Sequence, residues 1–267
     1  KKPRPAPPPA HARPAGMLRA DALLVARKLA PSRTAAQRLI KAGRVSWAGG
    51  PIAKPSLELP AETPLTVAAD PDAHYVSRGG LKLAGVLVQT GLDVAGKHCL
   101  DIGQSTGGFT DCLLQAGAKH VVGADVGHDQ LHAQLRCDPA VTAIEGINCR
   151  ALTAVDLGKA FPPGGFDLIV GDLSFISLTK VLPAVFSVLD EQGSVVCLIK
   201  PQFELQREDI SKGGIVRDPE LHQRAIEKIR QFITEEHHLT WRGLIPSPIT
   251  GTDGNQEFLA WIGPACE

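Results

Sequence analysis

The sequence contains no run of eighteen apolar residues and no charged-then-apolar leader ending in a small-residue cleavage site. It therefore offers neither a membrane span nor a secretory signal, and the expected compartment is cytoplasmic. Its six cysteines, Cys99, Cys112, Cys137, Cys149, Cys197 and Cys266, are scattered and never form a Cys-x-x-Cys pair beside histidines, so no metal site is expected. Several lie in apolar stretches, as Cys197 does between Val196 and Leu198, which is the setting of reduced core thiols rather than disulfides. No glycine loop ends in Gly-Lys-Ser/Thr, and that excludes a phosphate-binding P-loop. Net charge is also missing, and there is a single methionine, Met17.

The zero net charge conceals a segregation. Residues 1–70 hold 12 Lys/Arg against 4 Asp/Glu, which leaves 16 basic and 24 acidic residues in the rest. A basic N-terminal part on an acidic remainder points to a polyanionic partner for the first part. With 267 residues and 43% apolar side chains, the chain has room for one large domain and a small one. Residues 1–16 carry six prolines, four Lys/Arg and almost no bulky apolar side chains, so they are expected to be a disordered tail.

From 17 to 72 the pattern predicts a compact α+β module. Leu18, Leu23, Leu24 and Leu29 suggest a first helix followed by Pro31; Ser32 or Thr34 caps a second helix that Gly43 stops. Arg33, Gln37 and Lys41 share one face of that helix, with Arg38 and Arg44 close by. Strand-like pieces follow at 44–47 and 65–67, separated by the turn signals Gly49-Gly50-Pro51 and Pro60. The segments Arg19-Ala20-Asp21-Ala22-Leu23-Leu24, Ser32-Arg33-Thr34-Ala35-Ala36 and Leu39-Ile40-Lys41-Ala42-Gly43-Arg44-Val45 resemble the S4 RNA-binding domain over about fifty residues. The resemblance implies that Arg19, Arg33, Arg38, Lys41 and Arg44 meet structured RNA through shape and phosphates; a helical cap docked on the second domain is the alternative.

Residues 73–80 read as a linker, and 81–267 as a domain in which apolar strand-like runs alternate with helical patterns. Strands are expected at 99–102, 121–124, 141–144, 168–170, 195–199, 239–244 and 258–262. Helices are expected at 108–115, 178–189 and 219–235, the last capped by Asp218 with Pro219 at its first position. Such alternation predicts an α/β fold built on a doubly wound sheet.

Asp101-Ile102-Gly103-Gln104-Ser105-Thr106-Gly107-Gly108-Phe109-Thr110 follows the first of those strands and opens a helix. Glycines there let the backbone turn sharply and approach a nucleoside, although Gly-x-x-x-Gly-Gly departs from the dinucleotide fingerprint. Asp125 ends the next strand and is placed to accept two ribose hydroxyls. With Asp101 and Asp172 at further strand ends, it resembles the S-adenosylmethionine pocket of class I methyltransferases, to which Gly103, Ser105, Thr106, Gly107, Gly108 and Phe109 are also assigned; for Phe109 a core role is equally open. Lys200 ends the apolar strand from Val195 to Ile199 and precedes Pro201. Its ammonium is placed to assist attack by a sugar hydroxyl, with desolvation and Lys82 lowering its pKa and Asp172 and Glu257 opposing that. Taken alone, it also reads as a lysine capping a strand edge.

Longer motifs decide the matter: Ser77-Arg78-Gly79-Gly80-Leu81-Lys82-Leu83, Gly171-Asp172-Leu173-Ser174-Phe175-Ile176-Ser177-Leu178, Ile199-Lys200-Pro201-Gln202-Phe203-Glu204, Lys212-Gly213-Gly214-Ile215-Val216-Arg217-Asp218 and Gly254-Asn255-Gln256-Glu257-Phe258. Together with the glycine loop they resemble the TlyA family, from about Met17 to Ile262. The resemblance implies an S4 domain joined to an FtsJ-like methyltransferase domain, and S-adenosylmethionine-dependent 2′-O-methylation of cytidine in ribosomal RNA. It also implies a catalytic tetrad of Lys82, Asp172, Lys200 and Glu257, with ribosomal subunits as partners. The Asn/Asp-Pro-Pro-aromatic segment of enzymes acting on base nitrogens is absent at Gly171-Asp172-Leu173-Ser174. Two alternatives remain: a non-catalytic ribosome-binding or assembly protein, and a membrane-lytic hemolysin, the label often given to such proteins. The second lacks the apolar-against-basic helix it would need.

Overall fold

The computed structural model describes residues 16–30, 32–68, 74–211 and 213–264. Expectations that fall on residues 1–15, Pro31, Ala73, Lys212 and Cys266 lie outside the described residues. The chain divides into two compact units, 1–73 and 74–267.

In the first unit β1 (Met17–Arg19) runs into α1 (Ala20–Ala26), followed by α2 (Arg33–Lys41), β2 (Val45–Trp47), β3 (Gly50–Pro51), β4 (Glu58–Pro60) and β5 (Thr66–Val67). β1 pairs antiparallel with β4, and β2 lies between β3 and β5. A small core of Leu23, Leu24, Ala36, Ile40, Val45, Ile52 and Leu59 joins helices to strands. Ser32 caps α2 by accepting from the Ala35 amide at 3.2 Å, and beyond its last turn Gly43 adopts φ +69°. The first helix is shorter than its leucines suggested. Leu18 pairs with Leu59 in the β1–β4 ladder. Lys28 turns left-handed at φ +59°, and the Leu29 amide returns to Leu24 O, a Schellman closure that leaves Leu29 outside the helix.

Asp21, in the first turn of α1, is fully buried. Arg19 grips it with two hydrogen bonds of 3.0 and 2.9 Å, Gln37 donates at 2.8 Å and Arg33 at 3.2 Å. The Arg19 bonds lead in holding its carboxyl far below the usual range, against the opposing effect of burial. One carboxylate thereby ties the strand before α1 to the face of α2.

The second unit contains α3 (Gly79–Thr90), β6 (His98–Ile102), α4 (Gly108–Gln115), β7 (His120–Asp125), α5 (Ala133–Arg136), β8 (Val141–Glu145), α6 (Ala154–Leu157), β9 (Phe166–Gly171), α7 (Leu182–Phe186), β10 (Leu189–Ile199), α8 (Pro201–Glu204), α9 (Pro219–Gln231), β11 (Thr240–Pro246) and β12 (Phe258–Gly263). Its seven strands form one sheet in the order β11-β12-β10-β9-β6-β7-β8. β10, β9, β6, β7 and β8 are parallel, and β12 is antiparallel to both of its neighbours. Alternate residues feed two cores: Leu100, Ile102, Val195, Cys197 and Ile199 face one, and Cys99, Leu168, Val196 and Leu198 face the other. Burial on both faces is why these strands read as unbroken apolar runs.

Two helical expectations change. The span 178–189 is a 3-10 turn, then α7 with Pro183 in its first turn, and its last residue, Leu189, opens β10. Pro183 cannot donate to a preceding turn, so no continuous helix crosses it. The span 219–235 is α9 followed by a π turn at Phe232–Glu236. α3 is an addition: it begins at Gly79, inside the span read as linker. Its glycines permit close packing, since a Cβ on Gly108 would come within 2.9 Å of Gly80 N and one on Gly80 would strike the Tyr75 ring. α4 fixes the approach to α3, with the Val76 amide donating to Asp111 at 2.7 Å and Gln115 donating to His74 O at 2.7 Å. Cys99, Cys112, Cys149 and Cys197 are buried free thiols and Cys137 is exposed.

Asp21→Ala removes the common acceptor of two arginines that remain partly solvated. It should cost about 2–3 kcal/mol, below the full price of stranding a buried ion. Because the folded carboxyl lies below its unfolded value, this contribution is complete above the ordinary carboxylate pKa and fades on acidification. Urea denaturation of both proteins at pH 7 and pH 3 should show the gap narrowing at pH 3.

Candidate active site

Sheet topology assembles the site. Asp172 follows β9 and Lys200 follows β10, and these strands are parallel neighbours with Cys197 opposite Gly171. β12 runs the other way, with Phe258 opposite Ile199, so Glu257 at its start reaches the same edge where β10 ends. α3 adds Lys82 from one face. Four residues remote in sequence thus meet at the carboxyl edge of the sheet, where ligands of open α/β sheets bind.

Asp172 is the bridge. Its Oδ1 lies 2.6 Å from Lys200 Nζ and its Oδ2 3.0 Å from Lys82 Nζ. Lys82 Nζ also makes an ion contact with Glu257 Oε2 at 2.7 Å. Lys82, Lys200 and Glu257 are buried. Burial alone would push the Lys82 pKa down, but Asp172 and Glu257 outweigh it and the net shift is upward. Burial would likewise raise the Asp172 pKa, yet Lys200 and Lys82 bring it below the usual range. Both groups therefore stay charged through neutral pH.

The glycine loop lies beside this cluster. Gly103 has φ +76°, and a Cβ there would stand 2.9 Å from Asp172 O. Gly107, at φ +93°, would collide with Leu135, and Gly108 with α3. Ser105 and Thr106 are exposed on the loop. Asp101 is buried and accepts from Thr110 through both its amide (3.0 Å) and its hydroxyl (2.7 Å), fixing the first turn of α4; burial pushes its carboxyl up to about 7. Asp125 accepts one backbone amide on each oxygen, from Ser105 and from Gly127, both at 2.7 Å. Each oxygen keeps a second acceptor position, a pair suited to two vicinal ribose hydroxyls. The bare glycine floor and this carboxylate fit a nucleoside cofactor. Phe109 is only 4% exposed and packs in the core with Leu83 and Leu113.

Two neighbours were not assigned from the sequence. Ser174 accepts from Lys200 Nζ at 2.8 Å. Phe175 is 89% exposed, has φ +65° and lies 5.2 Å from the Phe203 ring. A cleft of about 380 Å³ is lined by Ser174, Phe175, Lys200, Phe203, Asp253 and Glu257 among others. The only signal in the sequence was an aromatic residue three positions after a strand-end aspartate.

In the first unit, Arg38 and Lys41 are exposed on α2. Arg19 and Arg33 are engaged by Asp21, and Arg44 donates to Ala68 O at 2.9 Å. Arg19 and Arg33 thus have a structural task beside the RNA contact expected of them.

The chain is similar to known proteins in both units. A family model for FtsJ-like methyltransferases matches residues 75–263, and one for the S4 domain matches residues 18–63. The 16S/23S rRNA (cytidine-2′-O)-methyltransferase TlyA of Mycobacterium tuberculosis is 45% identical over 246 residues, 91% of this chain and 89% of that protein. Hemolysin A of Brachyspira hyodysenteriae is 42% identical over 233 residues, 86% of this chain and 92% of that protein. A solved structure of a hemolysin-named protein from Streptococcus thermophilus aligns with a TM-score of 0.73 at 40% identity, covering 94% of this chain and 89% of that one.

Lys82→Met strands the Glu257 carboxylate, which is 2% exposed, and should destabilise the protein by about 3–5 kcal/mol. Adding Glu257→Gln should recover part of that loss. A double-mutant cycle by urea denaturation reads the coupling; additive losses would mean that the pair is not coupled.

Proposed function

The chain belongs to the TlyA family, an S4 domain joined to an FtsJ-like methyltransferase domain, and on that premise we propose that it methylates the 2′-oxygen of cytidine in ribosomal RNA, with S-adenosylmethionine as donor. Its substrate is expected on ribosomal subunits, in the cytoplasm. No helix among the described residues is long and apolar enough to cross a membrane.

The observation that carries the reading is the unequal placement of the two lysines. Lys82 spends its ammonium on Asp172 and Glu257. Lys200 also has two partners, an ion contact with Asp172 and a hydrogen bond to Ser174, but of the two lysines it is the one that lines the cleft, so its remaining N–H is within reach of an incoming oxygen. A ribose hydroxyl holds its proton too tightly to lose it at neutral pH. Lys200 meets the oxygen as negative charge develops; as the new O–C bond forms, the donor's C–S bond breaks to leave a neutral thioether, and the hydroxyl proton passes to water. Asp172 holds the ammonium in place, Lys82 holds Asp172 from the other side, and Glu257 fixes Lys82. Such fixed charges at a partly desolvated site stabilise a developing oxyanion without reorganising.

S-adenosylmethionine supplies an electrophilic methyl on a sulfonium centre. Asp125 would receive its ribose hydroxyls, and the backbone from Gly103 to Gly108 would lie along it, with Ser105 and Thr106 at the exposed side. Asp101 acts at one remove, by holding α4. Phe175 gives the target base a stacking face, worth about 1–3 kcal/mol, which helps to hold a nucleotide taken out of its helix. On the first unit, Arg38 and Lys41 are the leading phosphate contacts.

Transfer of labelled methyl from S-adenosylmethionine to unmodified ribosomal subunits tests this reading. The intact protein should label ribose, and Lys200→Ala should lower the rate at least about 100-fold while retaining cofactor binding. Cofactor binding without ribose label from the intact protein would move the chain to a non-catalytic ribosome-binding role.

A further inference from the structure

The cleft holds a second set of polar groups that the methyl transfer does not use. Gln202 on α8 and Asp253 in the loop before β12 both line it. Gln202 is 9% exposed and donates through Nε2 to Asp253 Oδ2 at 3.1 Å, while Oε1 of the same amide is buried without a hydrogen-bond partner. Reversing the amide would point its carbonyl at the carboxylate, so the orphan is not a matter of orientation. A buried carbonyl without a donor is a standing cost until something donates to it.

Asp253 is exposed but not free to wander. Its Oδ1 accepts from the Asn255 amide at 3.1 Å and its Oδ2 from Asn255 Nδ2 at 2.8 Å, in addition to Gln202. Asn255, fully buried, is anchored in turn to Gly214 O at 3.0 Å and to the Val216 amide at 2.8 Å. Of the four acceptor positions on the carboxylate, one on Oδ1 stays open. The point that a Cβ on Gly251 would occupy is 2.6 Å from Glu257 Oε1 and 2.8 Å from Asp253 Oδ1, so this acceptor stands beside the tetrad. On the cleft wall, Phe175 supplies the stacking face.

We propose that Asp253, held by Gln202 and Asn255, forms with the Gln202 carbonyl an acceptor pair that reads the exocyclic amine of the target base, and so selects cytidine over uridine. The inference rests on the ribose methylation proposed above. A carboxylate accepts from cytosine N4, an established base-edge pairing. Uracil presents an acceptor, O4, at the same place and would face the carboxylate with like charge. Pairing of this kind excludes a keto base, whereas stacking on Phe175 tolerates any base.

The target nucleotide is first located by mapping ribose methylation in RNA treated with the intact protein. Substrate RNAs carrying cytidine, uridine or 2-pyrimidinone riboside, which is cytidine without its amine, are then compared using the intact protein and Asp253→Asn, with cofactor affinity measured for both. The intact protein should favour cytidine at least about tenfold in kcat/KM over the other two, and Asp253→Asn should bring the cytidine-to-uridine ratio close to one with cofactor affinity retained. An unchanged ratio in Asp253→Asn would overturn the proposal. Equal rates on cytidine and pyrimidinone would overturn it without any variant, should Asp253→Asn fail to fold. Ribose label without base discrimination sinks only the base reading, whereas no ribose label from the intact protein sinks the methylation and the base reading together.

Discussion

A single carboxylate between two ammonium groups organises the catalytic unit. Asp172 places one oxygen on Lys200 and the other on Lys82, and each member of this cluster arrives from a different element. The arrangement needs β9 and β10 side by side and parallel, β12 reversed, and α3 packed closely enough to lower Lys82 onto the sheet edge. Burying these charges is costly unless they are paired, so the tetrad constrains the fold as firmly as the fold positions the tetrad. The glycines where α3 meets α4, and Gly103 where the glycine loop meets Asp172, are the steric side of the same requirement.

The first unit uses the same device in miniature. Buried Asp21 gathers Arg19, Arg33 and Gln37 and fixes α2, whose exposed face then carries Arg38 and Lys41. Basic residues on this module consequently divide between holding its shape and presenting charge, although composition alone makes them look alike. The charge segregation read from the sequence concerns the module as a whole, and does not assign the task of any one arginine.

Much of the sheet was legible because its strands are covered on both faces and their apolar runs are continuous, as at Val195 to Ile199. α4 was legible for a related reason, since a glycine loop must hand over to a helix. α3 was not: Gly79 and Gly80 read as loop residues, whereas in the fold a Cβ on Gly80 would strike the Tyr75 ring and one on Gly108 would come within 2.9 Å of Gly80 N. The helix expected over 178–189 failed because Leu189 pairs with Phe166 at the start of β10 and Pro183 interrupts the turn before it. Lys82, Asp172, Lys200 and Glu257 could be named from motif resemblance, but no spacing in the sequence brings them together; the parallel pairing of β9 with β10, the reversed β12 and the packing of α3 do. Phe175, Gln202 and Asp253 stayed unassigned because an exposed ring, an orphaned carbonyl and an anchored carboxylate are properties of environment rather than of residue type.

The most direct test of Asp172 as the organising charge is the single-turnover rate of methyl transfer in Asp172→Asn at saturating S-adenosylmethionine. Asparagine keeps the shape but withdraws the charge that holds both lysines, so the rate should fall by about 10²–10³ with the cofactor still bound. A rate within about twofold of the unaltered protein, less than 0.5 kcal/mol in barrier, would contradict the account.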